Sequence, residues 1–169
     1  MTGRARKLGA AAALAGAAAV ATVPATCTGP GQAPTLTVGV THGQYTAYPT
    51  PSAPAATELA ILRQIPLQNQ HIMGWGADNP MPSPGVHNWH SLDERMALID
   101  QVGAEPVITL CCAPDWMKGG RPGFTDWSRL EAAPLEDYFD DFAHLAADVA
   151  ERYPNVRHFQ VWNELKGFY

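Results

Sequence analysis

The residues best suited to chemistry are Trp162-Asn163-Glu164, which follow the apolar run Phe159-Gln160-Val161. Such a run reads as a buried strand, and it delivers an indole, an amide and a carboxyl together at its end. A carboxyl in that setting can work as a general acid, handing its proton to an ether-like oxygen such as that of a glycosidic bond. Cleavage of this kind needs a second carboxylate across the bond, about 5–5.5 Å from the first when configuration is retained. Five residues follow Glu164. The expectation is therefore the front portion of a larger catalytic unit, truncated after this strand.

The elements that would position these residues alternate. Leu36 to Val40 is expected as a first strand, opening into a loop that begins Thr41-His42-Gly43-Gln44. A helix follows over 55–65, with Leu59, Leu62 and Ile65 on one face and Pro66 as its stop. A second, weaker strand is placed over Gln70 to Trp75, leading into Gly76-Ala77-Asp78-Asn79-Pro80. Ser91-Leu92-Asp93-Glu94 has the spacing of a capping box for a second helix, with Leu92, Met96, Ile99 and Val102 as its face and Gly103 as its end. Pro106 to Cys112 is apolar apart from Thr109, the pattern of a strand covered on both sides in a parallel sheet. Pro134 begins a third helix, with Glu136 and Asp137 in its first turn and Leu135, Tyr138, Phe139, Phe142, Leu145, Val149 and Tyr153 along its apolar face. Val156 to Trp162 is the fourth strand.

Strand and helix in strict alternation predict an α/β fold with a parallel sheet. A dinucleotide-binding sheet finds no support, because no Gly-x-Gly-x-x-Gly follows the first strand. A (β/α)8 barrel carries its chemistry on the loops after its strands. Here those loops hold His42, Trp75, Asp78, Asn79, Trp116, Asn163 and Glu164. The fold expected is thus the first half, about four βα units, of a (β/α)8 TIM barrel over 36–169.

The rest of the chain bounds where such a domain would work. Arg4, Arg6 and Lys7 precede an Ala-rich apolar stretch, Leu8 to Val23, and Val23-Pro24-Ala25 offers small residues for cleavage. This is the layout of a signal peptide over 1–25 rather than of a transmembrane span. Cys27 raises lipid anchoring, but Pro24-Ala25-Thr26 lacks the aliphatic residue that modification prefers three positions earlier, so free secretion is expected. Residues 26–35, with Gly29, Pro30, Gly31 and Pro34, read as a linker. Removing the leader takes the net charge from −5 to −8, which argues against a nucleic-acid partner. Cys111 and Cys112 are adjacent, and neighbours on a strand point to opposite faces, so they are expected as small buried residues rather than a bridge. His87 and His90 lack a third ligand at metal-site spacing. Neither metal nor cofactor is expected.

Taken together, Gly39-Val40-Thr41-His42, Trp89 to Gly103, Pro114-Asp115-Trp116-Met117 and Val161-Trp162-Asn163-Glu164 resemble the retaining glycoside hydrolases of clan A. The likeness is greatest to family 39, the β-xylosidase and α-L-iduronidase group, and covers roughly residues 36 to 169. It implies that Glu164 is the acid/base and that Asn163 binds the sugar 2-hydroxyl. It also implies a nucleophilic glutamate at the end of a seventh strand. Where that family usually has Pro after the glutamate, this chain has Leu165. His42, Trp75, Asn79 and Trp116 are further candidate sugar contacts, the tryptophans because a sugar's apolar face stacks on indole. The expected partner is an oligo- or polysaccharide or other glycoside. The alternative is a half-barrel that binds carbohydrate without catalysis, or a fragment without function.

Overall fold

The second strand is built from Leu67-Gln68-Asn69-Gln70-His71, which is almost wholly polar. It lies three residues before the position expected from hydrophobicity, because side-chain amides take over the role that apolar packing plays elsewhere. The computed structural model describes residues 36–46 and 56–164, so the expected leader and linker over 1–35 lie outside the described residues. Four strands form one parallel sheet in the order of the chain: β1 (Gly39–Thr41), β2 (Leu67–His71), β3 (Glu105–Leu110) and β4 (His158–Val161). Helices α1 (Ala56–Leu62), α2 (His90–Val102) and α3 (Phe139–Arg152) lie between them in sequence. Among these strands the order never reverses, unlike a doubly wound sheet at its switch point.

Two polar devices hold β2. On one face Gln68 is fully buried; its amide nitrogen donates to the Leu62 and Ile65 carbonyls at 2.8 and 3.2 Å, satisfying the orphan end of α1. On the other, Asn69 donates to Thr41 Oγ1 at 3.2 Å and accepts from Thr109 Oγ1 at 2.8 Å, tying β1, β2 and β3 side by side. Gly39 lets β1 come close, since a Cβ there would stand 2.8 Å from the Leu67 carbonyl oxygen.

The main core gathers Ile72, Met73, Leu92, Ile108, Leu110, Met117, Leu145, Val149 and Trp162. β3 is buried over its last three residues, Ile108, Thr109 and Leu110, as its apolar run requires. Gly103 closes α2 in the left-handed region (φ 74°), its N–H bonded to Asp100 and that of Ala104 to Ile99, which is the Schellman arrangement.

Several expectations need correction. Ser91 does not cap α2: Trp89 occupies the cap position without a side-chain bond, and Ser91 Oγ instead accepts the Asp78 N–H at 2.7 Å. The first strand is confined to Gly39–Thr41, leaving Leu36 and Val38 exposed. Among the described residues β4 pairs with β3 alone, and Phe159 and Val161 are exposed rather than buried. The third helix begins as a 3-10 turn over Glu136–Tyr138, and Leu135 and Phe139 stay exposed. Cys111 and Cys112 form a disulfide across a cis peptide bond. Their Cα atoms are 2.9 Å apart, and both residues are fully buried, as expected.

Candidate active site

All four strands run the same way, so the loops after them converge at one end. From β2's end comes His71, and after it Trp75. From β4's end come Trp162, Asn163 and Glu164. Trp75 and Trp162 both have positive φ, 48° and 63°. A residue with a Cβ holds that conformation only where its surroundings impose it, at about 1–3 kcal/mol each. Trp162 is imposed by burial and by edge-on packing against Phe142 at 5.8 Å. Its left-handed turn carries the chain on to Asn163, half-buried, and Glu164, exposed.

His71 is the last residue of β2. Its ring lies 4.0 Å from that of Trp75, centroid to centroid, and is almost completely buried. Neither ring nitrogen has a partner at full hydrogen-bond geometry. Asn163 is near enough for its hydrogen bonding to raise the ring's pKa, but burial outweighs that and holds His71 below the ordinary histidine value.

Trp75 forms one wall of a cleft of about 540 Å³, within the range of small-molecule sites. Gln44, Tyr45, Asp78, Trp127 and Leu130 line the rest. Arg95 shapes its back. This residue is buried on α2 and donates to the carbonyls of Gln44 (3.1 Å), Thr46 (2.9 Å) and Gly76 (3.3 Å), drawing the loops after β1 and β2 together. Gly76 allows this: with φ 90°, a Cβ there would lie 1.7 Å from the guanidinium. The signal for Arg95 was present in the sequence as a charge at the 92, 95, 99, 102 positions of an otherwise apolar stripe.

The structure does not bring His42, Asn79 and Trp116 to this cleft. His42 is fully buried and donates from Nε2 to the Gln68 amide oxygen at 2.8 Å. Burial, with help from the Arg95 charge, holds its pKa below the ordinary value, so it supports β1 as a neutral ring. Asn79 spends both ends of its amide locally, accepting from Met81 N–H at 3.0 Å and donating to Thr125 at 3.1 Å. Trp116 is a core residue, its indole N–H bonded to the Met81 carbonyl and its ring edge-on to Tyr138. Asp115 is also withdrawn: its carboxylate pairs with buried Lys118 at 2.9 Å and accepts the Asp126 N–H.

The histidines of the 80s loop are occupied as well. His87 pairs with Asp148 at 2.9 Å and stacks on Trp89, while His90 faces Glu94 at 3.7 Å. Among the described residues no group of three or more His, Cys, Asp or Glu is arranged to hold a metal ion. No helix among them is long and apolar enough to cross a membrane.

Comparison with protein-family models, curated proteins and solved structures finds no match to this chain.

Proposed function

We propose that this chain carries the acid/base side of a secreted retaining glycoside hydrolase, on the first four βα units of a (β/α)8 barrel. The parallel sheet in chain order and the convergence of its loops support the barrel reading. One observation carries the function: an aromatic-walled cleft after β2, with Trp75 packed on His71, opens at the same end of the parallel sheet as the Asn163-Glu164 pair beyond β4. In this reading Glu164 protonates the leaving oxygen and then deprotonates the attacking water, while Asn163 holds the hydroxyl beside the reacting carbon. The nucleophile that the family resemblance implies belongs to a seventh strand, beyond the four described here.

The chain alone, without that nucleophile, is expected to be inactive, so the test is a leaving-group comparison on Glu164→Gln in a protein that carries this chain together with the seventh strand. Glycosides with poor leaving groups should lose about 10²–10⁴-fold in rate, the usual contribution of a general acid. Dinitrophenyl glycosides, which leave without protonation, should keep the rate of their first step. Equal losses on both would remove the acid role. A second reading, carbohydrate binding without turnover, is favoured by the withdrawal of Asp115 into its ion pair, which leaves Asp78 as the carboxylate of the cleft. Saccharide binding with no hydrolysis of any glycoside would select it.

A further inference from the structure

Trp127 is half exposed, yet the chain on both sides of it is fastened to the interior. The buried Asp115 carboxylate accepts the N–H of Asp126, and the buried Lys118 ammonium donates to the carbonyl of Arg129 at 2.9 Å. Asp126 in turn accepts from Ser128 N–H at 3.0 Å and from its hydroxyl at 2.6 Å. An ion pair with side chains 2% and 6% exposed therefore holds both flanks of a surface indole. A ring held this way loses little freedom when something stacks on it, which is the condition for an efficient binding platform.

Trp127 lines the cleft together with Trp75, Tyr45, Gln44 and Asp78. Neither Asn163 nor Glu164 lines it, and His71 packs on Trp75. We infer that this cleft is a second sugar-ring subsite, separate from the one at which Glu164 acts, and that it takes a neutral or amino sugar in preference to a uronate. The inference rests on the glycosidase reading for its ligand class. The chemistry of the wall is what a pyranose presents to a protein: C–H faces for the indoles, and hydroxyls for the Gln44 amide and the Asp78 carboxylate. Asp78 also sets the charge preference, because the Arg95 guanidinium behind the wall is taken up by the carbonyls of Gln44, Thr46 and Gly76. It is the charged side chain among the described lining residues, and a uronate ring would place like charge beside it.

The test is calorimetric binding of a neutral trisaccharide (xylotriose, cellotriose) and of the matching methyl monoglycoside to the whole chain. Trp127→Ala should weaken the trisaccharide about tenfold and leave the monoglycoside unchanged, since one indole face is lost from contact. Trp127→Phe should fall between. Asp78→Asn should raise affinity for a glucuronate-bearing oligosaccharide about fourfold at low salt. If Trp127→Ala left trisaccharide affinity as it was, the subsite would be overturned while the glycosidase reading stood. If the parent chain bound no saccharide of either length, both would fall together.

Discussion

Arg95 and Gly76 are expected to behave as a single unit, and a double-mutant cycle can show it. Arg95→Met keeps much of the stem but removes the donors to Gln44, Thr46 and Gly76. The contacts at 2.9 and 3.1 Å are the firm ones. Losing charged donors of this kind costs about 1.5–3 kcal/mol each where the carbonyl stays buried. Gln44 is exposed, so water recovers part of that loss. The net expectation is about 2–4 kcal/mol. Gly76→Ala attacks the same contact from the other side. It pays about 1 kcal/mol for a Cβ at positive φ, and it must also push away a guanidinium nitrogen that would lie 1.7 Å from the new carbon. In the Arg95→Met background most of that second cost disappears, because the atoms at 1.7 and 2.3 Å are gone. Urea unfolding of the four proteins should therefore give a sum of single effects exceeding the double by more than about 1 kcal/mol. Saccharide affinity should fall in both single variants, because both loosen the cleft's back wall. Additivity within about 0.5 kcal/mol would refute the arrangement.

Stability should also fall as pH drops below the ordinary histidine value of 6.5, because burial holds His42 and His71 below it. The unfolded chain takes up protons there that the folded one refuses, so the stability these rings contribute is present above 6.5 and lost on acidification; the urea midpoint followed downward from pH 7.5 checks this, and a flat midpoint through pH 5 would contradict it. Asp115→Ala should cost about 3–5 kcal/mol by leaving the Lys118 ammonium buried without its partner. The same change should weaken trisaccharide binding by freeing Asp126 and Trp127, which fluorescence quenching of the indole would register.

The alternation of strands and helices was legible because three elements carry strong apolar patterns: β3 as a covered run, α2 and α3 as faces repeating at three and four. β2 was misplaced for the opposite reason. Its stability comes from Gln68 reaching α1 and Asn69 reaching its neighbours. Those partners are distant in sequence, and nothing local announces them. The Ser91 capping box failed because the Asp78 backbone, thirteen residues earlier, competes for the same hydroxyl. The vicinal disulfide was rejected because neighbours on a strand point to opposite faces, but β3 ends at Leu110 and both cysteines lie beyond it. At the site, the strand-end positions of Trp75, Asn163 and Glu164 could be read from the sequence. His71, Tyr45 and Trp127 could not, because their roles depend on loops from different βα units meeting in space. His42, Asn79 and Trp116 show the converse: polar or aromatic residues in the right loops, used to build the scaffold.

The Thr41–Asn69–Thr109 ladder has one more consequence. In most sheets a strand that slips by one position is penalised because its greasy side chains end up in water. β2 has few to misplace, so its alignment depends on two amides, Asn69 finding two hydroxyls at once and Gln68 finding the His42 ring and the end of α1. Asn69→Leu would make this strand look more conventional while erasing one of the two marks by which the chain knows where to stop sliding.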